Sequence, residues 1–361
     1  MALITAWQPN ESSDQVRAHL AQGGCVVLPS ESTYEFVASP LHPRAIQRLA
    51  SVVPAGGLPA IVFTSQPALM DWLPLARGAS VRLIRKLGPG PYLLRADARY
   101  RAGLWMRLPA STQAMVARDD RLALRWPNHA VWDELARTEL PLVTVSLPNC
   151  SSAAAAAQAI GEGEDLVIDA GNTQFANLPS VVHVEGRHCK LEREGALARD
   201  VLSELLLCRI LFICTGNTCR SPMAQALCTK LLADRIGCPQ ADLKSHGFLV
   251  QSAGLAAMMG VTASAEAVQV AEELGADLSG HQSAMVTLEM LQWADHVFTM
   301  TSSHWYSLLS VPNSGFPVPR MLSPYHEDIA DPIGGPLVDY RTCAQQITAC
   351  LQLRLPEILE S

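Results

Sequence analysis

A cysteine and an arginine with five residues between them, in Cys214-Thr-Gly-Asn-Thr-Cys-Arg220-Ser221-Pro222, constrain this chain more than any other stretch. The apolar run Ile210 to Ile213 precedes the cysteine and reads as a short buried strand. Beyond the arginine, Ala224, Leu227, Leu231 and Leu232 recur at helical spacing. Ser221 suits the N-cap, Pro222 the first helical position and Gly237 the stop. The pattern is strand, tight loop, helix. There, backbone N–H groups and the helix N-terminus converge on one point and form an anion site. A thiol at that point is expected to react as a thiolate at neutral pH. The stretch predicts a loop that binds a phosphate, with Cys214 attacking it.

At 361 residues the chain exceeds one typical domain, so two are expected, and 49% hydrophobic residues suffice for packed cores. A net charge of −7 argues against broad nonspecific nucleic-acid binding, without excluding a local basic groove. No apolar run reaches the length of a membrane span; the longest, around Leu205 to Ile213, is interrupted at Cys208-Arg209. The start, through Gln15, lacks the basic n-region and long apolar core of a signal peptide. Ten cysteines follow no framework spacing, so a cytoplasmic protein with reduced thiols and no membrane partner is expected. His183, His188 and Cys189 lie close together without a second ligand pair, and no metal site is expected.

Taken in order, the first half alternates short helices and strands. Helical segments are predicted at Ser13 to Ala21, Pro43 to Ala50 and Ser151 to Ile160. Strands are predicted at Cys25 to Leu28, Pro59 to Phe63, from Tyr92, at Leu122 to Trp126, Pro141 to Ser146 and Asp165 to Asp169. The polar stretch from Gly186 to Glu204 reads as a connecting segment that becomes a short helix near Ala196 to Leu206. Domains 1–204 and 205–361 follow, both of α/β class.

The first half resembles, along its length, the YrdC-like family of threonylcarbamoyl-adenylate synthases. The resemblance rests on Gly23-Gly24 through Pro29-Ser-Glu31-Ser32-Thr-Tyr34, Gly88-Pro-Gly-Pro91, Leu124-Arg125-Trp-Pro127-Asn-His129, Ile168-Asp169-Ala-Gly171 and Pro179-Ser-Val-Val182. It implies a twisted open α/β sheet with a concave basic surface, ATP, threonine and bicarbonate as substrates, and a part in tRNA modification. Ser30, Ser32, Tyr34, Arg125 and Asn149 become candidate ligand-site residues. The sequence also departs from the family. Its Lys-x-Arg-Pro element is Ser51-Val52-Val53-Pro54 here, the glycine after the first-loop tyrosine is Glu35, and the later Ser-Ala-Asn loop reads Leu147-Pro148-Asn149. Losing two cations and gaining a carboxylate works against holding an adenylate. Two expectations stay open: a degenerate ligand-binding or structural domain that could hold nucleotide or RNA, or an active synthase in a bifunctional chain. By themselves, Ser30, Ser32 and Tyr34 also fit a plain polar turn.

In the second half, predicted strands at Leu249 to Gly254 and Asp295 to Met300 alternate with helices at Ala263 to Leu274, Thr287 to Trp293, Ser302 to Leu309 and Asp339 to Leu355. That order suggests a doubly wound parallel sheet with its ligand at the strand C-termini. This half resembles the low-molecular-weight protein-tyrosine-phosphatase family over nearly all of 208–361, by Cys214-x-Gly216-Asn217-x-Cys219-Arg220-Ser221-Pro222, Ser252-Ala-Gly254, His281-x-Ser283, Ala294-Asp295 and Asp331-Pro332. By its chemistry Cys214 is the nucleophile and passes through a phosphocysteine. Arg220 holds two phosphate oxygens. Backbone N–H groups of Thr215, Gly216, Asn217, Thr218, Cys219 and Arg220 complete the cradle, and Asp331 is the general acid. The resemblance implies that Asn217, Ser221, Ser252 and His281 support the loop. No cofactor is implied, and the partner is a phosphorylated protein. A reversible Cys214–Cys219 disulfide would shield the thiolate, given suitable geometry. Thr218, where tyrosine-directed members carry an aliphatic residue, resembles the protein-arginine-phosphatase branch. Ile333 departs from the aromatic residue often found after Asp-Pro. Arginine phosphate, tyrosine phosphate and a small phosphoester all stay open as substrates.

Overall fold

The computed structural model describes residues 3–73, 76–97, 103–136, 141–186, 188–312 and 315–360. The chain divides into two compact units, Met1–Leu206 and Leu207–Ser361.

Among the described residues the first unit is built on an 11-stranded mixed sheet. Its strands lie in the spatial order Leu3–Ala6, Leu166–Asp169, Cys25–Pro29, Tyr34–Ala38, Leu142–Ser146, Ala60–Val62, Arg121–Arg125, Tyr92–Asp97, Ser180–Glu185 and His188–Arg193, with Ala117–Arg118 folded back on Arg121–Arg125. The central strands are covered on both faces. Val27, Phe36 and Val145 enter one core, while Val26, Val37 and Leu142 enter another. Burial on both faces is why these strands read as unbroken apolar runs.

Two parts of this unit differ from expectation. The polar turn is confined to Ser30 through Thr33, and the chain returns at once as an unexpected strand, Tyr34–Ala38, paired antiparallel with Cys25–Pro29. Glu35 therefore lies inside a central strand. The segment 186–204 is also more than a connector. His188–Arg193 pairs with Ser180–Glu185 at the sheet edge, its residues alternating exposed and half-buried. Its inner positions are Cys189, Leu191 and Arg193, so the alternation hides among charges, as edge strands commonly do. The helix Arg199–Leu206 then closes the unit, burying Leu202.

The second unit is a four-stranded parallel sheet in the order Phe248–Gly254, Cys208–Cys214, His296–Thr299, Arg320–Met321. Period-two alternation splits its side chains. Ile210, Phe212 and Phe298 face the core shared with the helices Arg220–Ile236, Ala265–Glu273 and Leu337–Glu360. Leu211, Ile213 and Val297 face the helices Leu288–Trp293 and Ser302–Leu309. Helices on both faces make the sheet doubly wound. Its order reverses between the first strand and the third, so the crevice lies where Cys208–Cys214 and His296–Thr299 end.

The closing helix runs to Glu360 and carries Pro356 within it, beyond the expected end at Leu355. Ser221 is not the N-cap: the helix starts at Arg220, and Cys219 holds the cap position with no side-chain capping bond.

Candidate active site

Ser221 is within the first turn because its hydroxyl has another partner. Cys214 ends its strand with only 3% of its surface exposed, and its Sγ lies 2.9 Å from Ser221 Oγ. The Asn217 backbone N–H also donates to Cys214 Sγ at 3.2 Å. That bond requires the chain to turn back on itself, and Asn217 does so in the left-handed region, at φ 55. Its amide Nδ2 donates to Ser221 Oγ and to Ser252 Oγ, both at 2.9 Å, and its Oδ1 accepts from Ala284 N–H at 2.9 Å. Its carbonyl accepts from His281 Nε2 at 2.8 Å. A carbonyl cannot donate, so His281 carries its proton on Nε2. Burial lowers the His281 pKa, and the bond to Asn217 works against that shift. Ser252 in turn donates to Gln225 Oε1 at 2.7 Å.

The rest of the loop is tied down through its carbonyls. Leu255, Ala256 and Ser264 donate to the carbonyls of Cys214, Thr215 and Thr218, each at 2.9 Å. Gly254 lies beneath: a Cβ there would strike the Thr215 carbonyl and crowd the Asn217 N–H. Arg220 is buried at the helix start. Its Nη2 pairs with Asp331 Oδ2, and its Nη1 donates to the Ile329 carbonyl at 3.4 Å. The Asp331 side chain remains 43% exposed. Cys214 and Cys219 are both free thiols. Cys219 Sγ lies 3.4 Å from Ser264 Oγ and 3.7 Å from both Tyr340 Oη and Thr218 Oγ1.

Of the expected residues, Asn217, Ser221, Ser252 and His281 form one hydrogen-bonded network with Cys214, and Arg220 pairs with Asp331 at the helix start. Sequence reasoning missed Gln225, Thr301 and His304. His304 Nε2 lies 2.8 Å from Thr215 Oγ1, across the crevice. The one local signal was a Thr-Ser-Ser-His run after a strand, which reads only as a helix start.

The candidate residues of the first unit have a different environment. Arg125 is fully buried. Its Nε donates to Glu35 Oε1 at 2.9 Å, its Nη2 to Glu31 Oε1 at 2.6 Å, and its Nη1 to the Gly90 carbonyl. Burial alone would lower its pKa, but Glu35 and Glu31 offset that and hold it above the ordinary value. Glu35 also accepts from Thr144 Oγ1 at 2.8 Å, and Glu31 from Asn128 N–H at 2.6 Å. Ser30 donates to the Thr33 carbonyl, Ser32 to Glu31, and Tyr34 to the Gly171 carbonyl. Asn149 alone of the five is exposed, with a left-handed backbone at φ 59. Val53, where the resembled family has the second of its two cations, packs against the core with its neighbour Val52. Among the described residues no group of three or more His, Cys, Asp or Glu side chains could hold a metal, and no helix is long and apolar enough to cross a membrane.

Residues 209–359 match the family model described as low molecular weight phosphotyrosine protein phosphatase. Residues 18–195 match the model of the Sua5, YciO and YrdC family, described as telomere recombination. A protein-arginine-phosphatase of Geobacillus stearothermophilus is 36% identical over 157 residues, 42% of this chain and 97% of that protein. A probable low molecular weight protein-tyrosine-phosphatase of Ralstonia nicotianae is 31% identical over 150 residues, 41% of this chain and 94% of that protein. The solved low molecular weight protein tyrosine phosphatase of T. tengcongensis is 33% identical, covers 41% of this chain and 98% of its own, and has a TM-score of 0.37.

Gly254→Ala tests whether the loop's position matters. The added methyl must push the Thr215 carbonyl and the Asn217 N–H, displacing the cradle. Turnover of an aryl phosphate should fall about a hundredfold, with the far-ultraviolet circular dichroism unchanged.

Proposed function

Because the chain belongs, through residues 209–359, to the low molecular weight phosphotyrosine protein phosphatase family, we propose that its second half hydrolyses phosphoarginine on proteins through a phosphocysteine. One observation carries the chemistry: the Cys214 sulfur receives the Asn217 N–H and contacts the Ser221 hydroxyl, at the head of a helix opened by Arg220. These contacts hold the sulfur at the loop's anion site, in position for attack on a bound phosphoryl group.

In the first step the Cys214 thiolate attacks phosphorus. The S–P bond forms as the P–N bond of phosphoarginine breaks, and Asp331 gives its proton to the departing guanidine nitrogen. In the second step the Asp331 carboxylate takes a proton from water. The resulting hydroxide attacks phosphorus, the S–P bond breaks, and phosphate and thiolate separate. Arg220 binds two phosphoryl oxygens in a fork and stabilises their charge during both transfers. The ion pair between Arg220 and Asp331 has a role in this sequence. An entering phosphoryl group replaces the carboxylate on the guanidinium and frees Asp331 for the leaving group.

The Thr218 hydroxyl supports phosphoarginine, because a polar group in the loop can bond a polar leaving group. The name of the Geobacillus relative points the same way. A second reading, phosphotyrosine, is favoured by Ile333, which is 65% exposed two residues after Asp331 and offers apolar surface to an aromatic ring. The name of the Ralstonia relative supports it too.

For the first half we propose a ligand-binding or structural role without adenylate synthesis. Arg125 already has two carboxylate partners, and the two cation positions hold Ser51 and Val53. ATP with threonine and bicarbonate should release no pyrophosphate in the presence of the full chain. Release above background would instead support a bifunctional enzyme.

Turnover of phosphoarginine and phosphotyrosine, measured side by side, tests the phosphatase reading. Cys214→Ser should abolish both. Thr218→Ile should lower phosphoarginine kcat/KM by about tenfold relative to phosphotyrosine, the effect of one lost hydrogen bond. A wild-type chain inert toward both substrates overturns the proposal.

A further inference from the structure

The sheet order brings two chain segments together at the crevice. One follows Cys208–Cys214 and becomes the Cys214 loop. The other follows His296–Thr299 and becomes the helix Ser302–Leu309. His304 joins them. It is 4% exposed, and its two ring nitrogens have defined partners: Nδ1 lies 2.8 Å from Thr301 Oγ1, and Nε2 lies 2.8 Å from Thr215 Oγ1.

The helix cap favours one set of directions for these bonds. Thr301 is the N-cap, and its Oγ1 accepts the His304 backbone N–H at 3.4 Å. Ser303 Oγ lies 2.9 Å from the same oxygen and can donate the second bond to it. The Thr301 hydroxyl then donates its own proton to Nδ1. A neutral ring with Nδ1 occupied in this way has its proton on Nε2, and donates it to Thr215 Oγ1. Thr215 is the exposed residue directly after Cys214. Its own hydroxyl proton remains free for a group bound in the loop.

The surroundings keep the ring neutral. Burial and then the Arg220 guanidinium bring its pKa down to about 4, against the pull of Asp328 and Asp331. A protonated ring would donate from both nitrogens, and the Thr301 hydroxyl would have to turn away.

We propose that His304 is a positioning residue that, as the neutral Nε2–H tautomer, fixes the Thr215 hydroxyl so that it donates to a phosphoryl oxygen in the Cys214 loop. The contribution to turnover rests on the phosphatase reading, whereas the hydrogen-bond direction does not. It adds a side-chain donor to the backbone cradle, supplied from the other side of the crevice.

Two measurements on the full chain test this. Nitrogen NMR of the His304 ring should report a neutral Nε2–H tautomer from pH 7 to about pH 5, and saturating inorganic phosphate should shift its signals. A Nδ1–H tautomer, or signals unmoved by phosphate, overturns the proposal whether or not the chain is a phosphatase. Kinetics with an aryl phosphate then assess the effect on turnover. Thr215→Val and His304→Ala should each lower kcat about tenfold with little change in KM. The double variant should fall no further than either single one, and His304→Gln, which can present an amide N–H near the Nε2 position, should recover most of the loss. Additive losses, or no recovery with glutamine, would mean that His304 acts only through packing. Inertness of the wild type toward every phosphoester would remove the phosphatase reading, and the NMR result would then decide the hydrogen-bond claim by itself.

Discussion

Asn217 is held in the left-handed region without a glycine's freedom, and it is fully buried. A backbone of this kind costs about 1–3 kcal/mol and persists only where its surroundings determine it. Four hydrogen bonds do so here: to Ser221, to Ser252, from Ala284 and from His281. At about 0.5–1.5 kcal/mol each they offset the strain. The strained turn aims the Asn217 N–H at the Cys214 sulfur. The thiol, the helix start and Arg220 then converge on one point. Ser221 takes part in the same arrangement, since its hydroxyl serves the sulfur and Asn217 rather than the helix cap.

Both units contain a buried arginine paired with acid, yet the two pairs differ. Arg125 is enclosed with Glu31 and Glu35, and none of the three has useful contact with solvent. Such a cluster holds only while every member is present, because removing one partner leaves an uncompensated buried charge. It is suited to stabilising a sheet interior and poorly suited to exchanging partners with a ligand. Among the described residues Arg220 has one carboxylate partner, Asp331, and that partner is half exposed. An anion can displace it at little cost. This contrast is the physical ground for the proposal that turnover belongs to the second half and not to the first.

Much of this was legible in the sequence. The spacing from Cys214 to Arg220 located the loop, and the apolar runs located most strands. What stayed hidden has identifiable causes. The His188–Arg193 strand alternates between charged residues and half-buried ones, so it carries no apolar signal. Glu35 stood in the sequence only as a carboxylate in place of a glycine, and its burial in a central strand appears only once Arg125 arrives from a distant strand to neutralise it. Ser221 satisfied every local rule for an N-cap, but a tertiary bond to the Cys214 sulfur outweighed capping. His304 was invisible because its meaning depends on the order of strands in the sheet, which brings it opposite Thr215.

The central claim is that the cradle around Cys214 accepts a phosphoryl group onto sulfur. Acid quenching during turnover of an aryl phosphate, followed by mass analysis of the peptide carrying residues 208–220, tests it most directly. The account predicts one phosphoryl group on Cys214, absent in Cys214→Ser and more abundant in Asp331→Asn, where the second step loses its base. Sustained turnover with no adduct on that peptide, or an adduct on another residue, would contradict it.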